Sequence, residues 1–296
     1  MSAKPQPRIR RSCLYMPGAN ARALEKARSL AADMIILDLE DSVAPDAKHE
    51  ARDKVQVAIQ EKAYGYREVV VRSNALDTEW GSLDIEMAVR SGADGVLVPK
   101  ITCEQDIVEL DALLTGADAP ATFLLWVMIE MPLAILNIQQ IAAQAQATRL
   151  AGFMLGPNDL AKELRSQPDP SRSTMQTALG LTLLAARAFD LVALDGVYND
   201  IKNETGFASE CEQGRAMGFD GKTLIHPSQI DLANRVFAPS EQAVAHAKEV
   251  IAAFALPENK GKGVITVNGA MTELLHLDQA RELVQFQQAI EQRAPT

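Results

Sequence analysis

The chain has 296 residues, of which 47% are hydrophobic, and it carries a formal net charge of −10. This length fits one large α/β domain or two ordinary ones, and the apolar content supports a sizeable core. The acidic balance argues against a nucleic-acid partner or an anionic membrane surface, because either would need a segregated basic patch.

The cysteines and the apolar runs indicate a cytoplasmic protein without a membrane span. Cys13, Cys103 and Cys211 are far apart and form no CxxC pair, so we expect reduced thiols. The first residues are basic but lack the apolar core of a secretory signal. The longest apolar run, TFLLWVMIEMPLAIL, contains a glutamate and a proline and is too short to cross a bilayer.

Short apolar runs alternate with helical patterns along most of the chain, and this alternation predicts parallel strands joined by helices. Eight runs have the character of strands: 12–17, 34–41, 68–74, 95–100, 123–130, 152–159, 191–197 and 224–227. Their number and continuous hydrophobicity are typical of a (β/α)8 barrel. A doubly wound open sheet is the rival, but the sequence lacks the glycine-rich phosphate loop expected after its first strand.

The pattern changes after about residue 239. A further helix, SEQAVAHAKEVIAAFAL, is followed by PENKGKG, a short extended segment and a last helix. We therefore predict a barrel domain over residues 1–238 and a C-terminal extension over residues 239–296. The extension can be a lid, an arm onto a neighbouring subunit or simple packing, and the sequence does not separate these.

Ionisable residues follow nearly every predicted strand, at the end where a (β/α)8 barrel carries its active site. In chain order they are Asp38, Glu40, Asp41, Arg72, Lys100, Glu130, Asp159, Asp195 and His226. Any single acid among them can be an ordinary helix cap. Their convergence on one mouth of the barrel favours a functional site.

Two of these acids predict a metal site. Glu130 ends a buried strand, where a carboxylate must be paired or bound to a metal, and Asp159 follows the next strand. Two carboxylates with room for water and substrate oxygens suit Mg²⁺, whereas the sequence has no histidine cluster for zinc. The alternative is a pair of capping acids without a metal.

The basic residues at the strand ends are open to two interpretations each. Burial of Arg72 is costly unless it grips a carboxylate or phosphate, and an ion pair with Glu40 or Asp41 is the alternative. Lys100 stands where a Schiff-base lysine can sit, but neighbouring carboxylates would keep its pKa high, so we expect an electrostatic role. His226 can equally orient a loop or transfer protons.

Taken together, the motifs resemble the citrate lyase β-subunit-like family, which includes malyl-CoA and citramalyl-CoA lyases. The ordered set is RSCLYMPG, ILDLEDSV followed by Lys48 and Ala51-Arg52, VVVRSN, VLVPK, MIEMP, LGPNDL and GFDGKTLIHPSQI, and it spans roughly residues 8 to 275. The resemblance implies a (β/α)8 barrel and Mg²⁺, with Mn²⁺ as a substitute. It also implies cleavage of a 3-hydroxyacyl-CoA to acetyl-CoA and a 2-keto acid.

The resemblance also implies roles for individual residues. Glu130 and Asp159 would hold the metal, with Glu130 also at the substrate, and Arg72 would grip the carboxylate of the keto-acid half. Three residues would contact CoA: Tyr15, Arg22 and Lys26.

The base that transfers the proton is left open. The family's lid motif, GxMxD, is present as GAMTE, with Glu273 in place of the aspartate. Glu273 and the pair Glu40 and Asp41 are the candidates, and we rank this pair above Asp38. A lid that acts on a neighbouring subunit implies a homo-oligomer, either a trimer or a hexamer.

Other functions remain compatible with the sequence. They are a malyl-CoA thioesterase, a citrate lyase β subunit acting on an acyl-carrier-protein thioester, a CoA-independent metal-dependent pyruvate aldolase, and a metabolite-binding subunit without turnover. The aldolase would leave Arg22 and Lys26 unexplained. The sequence does not name the hydroxyacyl-CoA among malyl-, citramalyl- and citryl-CoA.

Overall fold

The computed structural model describes residues 8–293. Within them, Arg10–Phe237 form one compact unit, and residues 8–9 with 238–293 form a second. The expected boundary at residue 238 and the lid function of the C-terminal part stay predictions.

The larger unit is a closed barrel of eight parallel strands in chain order, and the last strand pairs with the first. The strands are β1 (Ser12–Pro17), β2 (Met34–Asp38), β3 (Glu68–Arg72), β4 (Gly95–Val98), β5 (Leu124–Ile129), β6 (Leu150–Leu155), β7 (Val192–Asp195) and β8 (Gly221–Leu224). The predicted (β/α)8 barrel is therefore confirmed.

Helices follow the strands of this unit and cover the barrel. They are α1 (Ala21–Ala27), α2 (Lys48–Gln60), α3 (Gly81–Ser91), α4 (Glu104–Gly116), α5 (Pro132–Leu136), α6 (Ile138–Ala143), α7 (Pro157–Glu163), α8 (Gln176–Ala188), α9 (Glu204–Met217) and α10 (Ile230–Val236). Local sequence sets their ends: the Asn20 side chain accepts the Ala23 N–H at 3.2 Å and starts α1. Gly92, at φ 82°, ends α3 in a left-handed conformation that glycine adopts without strain.

Both faces of the barrel sheet are buried. The interior is filled by a cluster of side chains from alternate strand positions: Cys13, Met34, Ile36, Val70, Leu97, Trp126, Met128, Met154 and Leu194. Outward-facing residues of the same strands, such as Leu37 and Val71, belong to a larger core shared with the helices. Burial on both faces explains why the strands read as continuous apolar runs.

The position of the eighth strand differs from the prediction. Residues 224–227 were expected to form it, whereas β8 is Gly221–Leu224 and His226 precedes a short 3₁₀ helix. The strand was missed because Lys222 and Thr223 are polar, yet both are fully buried. Gly221 is required here, since a Cβ would lie 1.8 Å from the carbonyl oxygen of Arg10.

The C-terminal unit is a helix pair with a hairpin. It contains α11 (Glu241–Ala255), β9 (Val264–Val267), β10 (Ala270–Glu273) and α12 (Leu274–Glu291). The antiparallel strands are joined by Asn268 and Gly269, both at positive φ, as a tight hairpin turn requires. No helix within residues 8–293 is long and apolar enough to cross a membrane.

Candidate active site

The adjacent ends of β2 and β3 form the centre of the site. Asp38 and Arg72 are opposite each other in the strand register. Arg72 donates from Nε to Asp38 Oδ1 and from Nη2 to Asp38 Oδ2, both at 2.7 Å, and both side chains are buried. Burial opposes the ionisation of Asp38, but the charge and hydrogen bonds of Arg72 outweigh it and lower the pKa of Asp38.

This pairing changes the ranking of the three acids of the LDLED motif. Asp38, which we ranked last, accepts hydrogen bonds from both Nε and Nη2 of the Arg72 guanidinium. Glu40 contacts the third nitrogen, with Oε2 at 2.8 Å from Arg72 Nη1. Asp41 is 3.7 Å from the same nitrogen, and its side chain is 66% exposed. Glu40 and Asp38 are therefore the acids that orient the arginine.

Glu40 is held in a buried position by the loop that follows β2. The ammonium of Lys48 donates to the carbonyl oxygens of Leu39 at 2.7 Å and Glu40 at 2.8 Å. Burial raises the pKa of Glu40 to about 7, although the charge of Arg72 opposes this shift. A carboxyl group with such a pKa can both take up and release a proton near neutral pH. Lys48 is one of the motif residues, but the sequence did not predict its role in supporting the site.

Glu130 and Asp159 meet around Lys100. Glu130 directly follows β5, is 1% exposed, and accepts the Lys100 backbone N–H at 2.9 Å. The Lys100 ammonium lies 3.4 Å from Asp159, 3.6 Å from Glu40 and 3.7 Å from Glu130. Three carboxylates thus converge on one positive charge. We call the six residues at this end of the barrel the mouth cluster: Asp38, Glu40, Arg72, Lys100, Glu130 and Asp159.

The mouth cluster fits a divalent cation. Gly156 makes room for the Glu130 carboxylate, because a Cβ there would lie 2.4 Å from Glu130 Oε2. Within residues 8–293 no group of three or more His, Cys, Asp or Glu could hold a metal by itself. Glu130 and Asp159 would supply two carboxylate donors, and Mg²⁺ usually keeps water and substrate oxygens as its other ligands. The Lys100 side chain is 39% exposed, so its ammonium has a path out of the site.

The structure places the three expected CoA contacts in two environments. Tyr15 lies on β1 inside the mouth, with the guanidinium carbon of Arg72 4.7 Å from the centre of its ring. Burial raises the pKa of Tyr15, and its neutral phenol packs on the arginine. Arg22 and Lys26 are exposed, four residues apart on α1. Their contact with CoA stays a prediction.

Glu273 belongs to the C-terminal unit, where it is the residue before α12. Its backbone N–H donates to His276 Nδ1 at 2.9 Å. This contact gives Glu273 a role in starting the helix. Its function as a lid acid stays a prediction.

The mouth forms an open cavity of about 370 Å³, lined by residues that include Tyr15, Asp38, Arg72 and Asp159. This volume accommodates a small organic acid. A closed parallel barrel with a cluster of ionisable residues at the carboxyl ends of its strands defines the class of (β/α)8-barrel enzymes.

The model of the HpcH/HpaI aldolase/citrate lyase family matches residues 11–227, and the chain belongs to this family. The chain is 49% identical to the (3S)-malyl-CoA thioesterase of Cereibacter sphaeroides (strain KD131 / KCTC 12085) over 280 residues, which cover 95% of each chain. It is 40% identical to the citrate lyase subunit beta of Escherichia coli (strain K12), over 93% of this chain and 92% of the relative. The predicted family and the prediction of an enzyme of the citrate lyase β type are confirmed.

Solved structures give the same result. The structure of CitE from Mycobacterium tuberculosis in complex with magnesium, acetoacetate and coenzyme A matches with a TM-score of 0.73 at 29% sequence identity. The match covers 93% of this chain and 96% of CitE. A second structure, the CitE of the same organism with magnesium and pyruvate, matches with a TM-score of 0.66 at 29% identity, over 80% of this chain and 95% of CitE.

Proposed function

We propose that the chain is a Mg²⁺-dependent lyase that cleaves the carbon–carbon bond of a 3-hydroxyacyl-CoA of the malyl-, citramalyl- or citryl-CoA type. The products are acetyl-CoA and a 2-keto acid. The observation that carries this proposal is the charge of the mouth cluster, in which four acids face only two bases, Arg72 and Lys100. With all four acids ionised, the cluster is two positive charges short of neutrality, which is the charge of one Mg²⁺ ion.

Different residues of the mouth cluster would bind the cation and the substrate carboxylate. Glu130 and Asp159 would hold the cation, which lowers the pKa of a substrate hydroxyl when bound. Arg72 is fixed by Asp38 along its Nε–Nη2 edge, so Nη1 is the part of the guanidinium that can turn from Glu40 to a substrate carboxylate. A manganese ion, which also prefers oxygen ligands, would replace magnesium.

Glu40 is the residue best placed to move the proton. It is buried, and it touches both bases of the cluster, Arg72 at 2.8 Å and Lys100 at 3.6 Å. In the proposed reaction Glu40 takes the proton of the substrate hydroxyl as the carbonyl double bond of the keto acid forms. The electrons of the broken carbon–carbon bond pass to the enolate of acetyl-CoA, which then takes up a proton. Asp41 and Glu273 remain the other candidates for this proton transfer.

The remaining parts of the proposal concern binding and assembly. Arg22 and Lys26 present two positive charges to solvent on α1, which suits the phosphates of CoA. Tyr15 would then contact the thioester end of CoA, since it lies beside Arg72. The chain would form a homo-oligomer, a trimer or a hexamer, in which Glu273 serves a neighbouring site. Light scattering coupled to size-exclusion chromatography measures this directly.

Thioester hydrolysis is the second candidate function, and the relative that is a malyl-CoA thioesterase at 49% identity favours it. The same cluster would then bind malyl-CoA, and Glu40 would activate water to attack the thioester carbonyl. The two reactions differ in their products and not in the residues that bind the substrate.

One assay separates the two functions. Purified protein is incubated with malyl-CoA and Mg²⁺, and the products are identified by chromatography. Acetyl-CoA with glyoxylate supports the lyase, whereas free CoA with malate supports the thioesterase. Citramalyl- and citryl-CoA are tested in parallel. Chelation by EDTA should stop the reaction and Mg²⁺ or Mn²⁺ should restore it; an enzyme indifferent to metal would contradict both functions as proposed.

A further inference from the structure

Lys100 is held at the mouth by charge and not by short hydrogen bonds. Its ammonium nitrogen lies near one oxygen of each of three carboxylates, at 3.4 Å from Asp159 Oδ1, 3.6 Å from Glu40 Oε1 and 3.7 Å from Glu130 Oε1. Hydrogen bonds from nitrogen to oxygen in proteins are usually about 2.7–3.2 Å long. All three distances are longer, so the three acids share the positive charge and none of them fixes its position.

Two other lysines of the barrel unit show how a fixed ammonium is held. Lys48 donates to two backbone carbonyl oxygens at 2.7 and 2.8 Å, and Lys222 contacts two carboxylates at 2.7 and 3.1 Å. Both residues are buried. The Lys100 side chain is 39% exposed, and its contacts are longer. Its ammonium can therefore leave the acids for solvent at a lower cost in free energy than that of either buried lysine.

The backbone of Lys100 is fixed although its ammonium is not. The residue lies in the left-handed region at φ 61°, which is strained for a residue with a side chain. Its N–H donates to Glu130 Oε1 at 2.9 Å and so helps to hold this conformation. Glu130 is itself buried. Rotation about the side-chain bonds of Lys100 moves the ammonium without breaking this backbone hydrogen bond.

The ammonium lies at the two acids that would hold the cation. Glu130 and Asp159 would bind Mg²⁺ through their carboxylate oxygens, and one oxygen of each faces the Lys100 ammonium. Two positive charges at the same carboxylates repel each other, and the repulsion is stronger at a protein site than in bulk water. A divalent cation therefore binds at the expense of the contacts between the ammonium and these acids.

We propose that the Lys100 ammonium is a tethered competitor of the divalent cation for Glu130 and Asp159, and that cation binding turns the ammonium outward to solvent. The inference rests on the proposed function, because that function places the cation at these two acids. One oxygen of Glu40 is then available for the proton transfer. Its Oε2 contacts Arg72, so departure of the ammonium leaves Oε1 open to a substrate hydroxyl.

Calorimetric titration of Mg²⁺ into the full-length protein tests the competition. Lys100→Met has a side chain of similar length without the charge. We expect its Kd for Mg²⁺ to be at least about tenfold lower than that of the wild-type protein, because the competing charge is gone. Circular dichroism confirms that the variant is folded. A Kd equal to or higher than that of the wild type would overturn the competition.

Lys162→Met is the matched control for the loss of one positive charge. Lys162 lies on α7, three residues after Asp159, and its side chain is 76% exposed and paired with Glu163. Salt screens an exposed charge, so this substitution should leave the Kd for Mg²⁺ unchanged. An equal fall of Kd in both variants would show an effect of net charge and would also overturn the competition.

Amine acylation followed by peptide mass spectrometry tests the movement in the wild-type protein, and it does not depend on the folding of a variant. The acetyl ester of N-hydroxysuccinimide is added briefly in EDTA or in saturating Mg²⁺. The rate at Lys100 should be higher in Mg²⁺, because the ammonium no longer lies among the carboxylates, whereas the rate at Lys162 should not change. A Lys100 rate that Mg²⁺ leaves unchanged or lowers would contradict the outward turn.

The two proposals fail in different ways. If neither the wild-type protein nor Lys100→Met binds Mg²⁺, the metal site is wrong, and the proposed function falls together with the role of Lys100. If both bind Mg²⁺ with the same Kd and the acylation rate at Lys100 does not respond, the proposed function stands and the competition alone is wrong.

Discussion

Two sets of charged residues in the barrel unit are built from the same kinds of residue but differ in charge balance: the mouth cluster, and the β7–β8 cluster of Arg172, Asp195, Glu210 and Lys222. In the β7–β8 cluster, the buried Asp195 is matched by Arg172 and Lys222, and Glu210 completes the balance. In the mouth cluster, four acids face two bases. A buried set of charges is stable when it is paired and hydrogen-bonded, so the excess acids of the mouth cluster favour either protonation or a bound cation.

The pKa shifts show the same difference. Burial opposes ionisation of Asp195, but Lys222 and Arg172 outweigh it and lower the pKa of that carboxyl group. At the mouth, burial raises the pKa of both Glu40 and Glu130, and the neighbouring bases do not compensate for it. Strongly paired acids are therefore structural in one cluster, while under-paired acids are available for binding and proton transfer in the other.

The largest expected effect tests this difference through stability. Asp195→Asn removes the carboxylate that Arg172 and Lys222 share and leaves these two buried bases with Glu210 alone, so it should lower the free energy of unfolding by about 3–5 kcal/mol. Glu130→Gln, measured in EDTA, removes one excess negative charge and should leave the free energy of unfolding unchanged or increase it. Urea denaturation measures both. Equal destabilisation by the two substitutions would show that the clusters are not different in kind.

The fold was predictable because it depends on patterns that one sequence displays. Seven of the eight strands are apolar runs, and covering both faces of a parallel sheet requires such runs. The eighth, Gly221–Leu224, is buried through pairing: Lys222 is charged and depends on Asp195 and Glu210, which lie elsewhere in the chain. A pattern based on hydrophobicity cannot find a strand whose burial depends on distant partners.

The location of the site was predictable from the sequence, but the ion pairs between its charged residues were less so. Position after a strand was enough to select Arg72, Glu130 and Asp159, which the structure places at one mouth. The partnership of Asp38 with Arg72 depends on the register of β2 and β3, which no local motif specifies. Arg172 lies in the loop PDPSRSTM, whose composition resembles any surface loop. Its contact with Asp195 exists only in the folded chain.

A second prediction compares two arginines with the same geometry at opposite ends of the barrel. Arg72 donates two hydrogen bonds to the Asp38 carboxylate at the carboxyl ends of the strands, both at 2.7 Å. Arg11 donates two side-chain hydrogen bonds to the Asp33 carboxylate at the amino ends, at 2.9 and 3.0 Å. Lysine keeps the charge of either residue but not its planar fork. Arg72→Lys should reduce kcat/KM by about 10²–10³-fold, the cost of losing one well-placed donor. Arg11→Lys should retain turnover; similar losses in both variants would indicate that Arg72 acts through the fold alone.

A third prediction uses pH to separate the clusters. The folded pKa of Glu40, about 7, is raised above its ordinary value of 4.5, so the folded state binds more protons than the unfolded state between these values. Its contribution therefore makes the protein less stable as pH rises through this window. Asp195 has the opposite sign: its folded pKa is below 3.8, so its stabilisation is present above 3.8 and is lost as pH falls through the folded value.

The measurement is urea denaturation in EDTA at a series of pH values. Glu40→Gln should flatten the profile between pH 4.5 and about 7, and Asp195→Asn should flatten it only below pH 3.8. Saturating Mg²⁺ should reduce the Glu40 effect in the wild-type protein, because a cation at the mouth favours the ionised carboxylate. A Glu40→Gln profile parallel to that of the wild type would contradict the proposed position of this group.

The smallest expected effect lies outside both clusters, on the exposed residues of α1. Arg22→Ala and Lys26→Ala should each raise KM for the CoA thioester by about two- to fivefold with little change in kcat, because exposed ion pairs contribute at most about 1 kcal/mol. The increase should shrink as salt is added, since salt screens exposed charges. Arg90→Ala, an exposed arginine paired with Glu86 on α3, is the matched control and should not change KM. If the α1 variants instead lower kcat at unchanged KM, the charge on α1 does not bind the thioester, and the CoA phosphates must be held elsewhere.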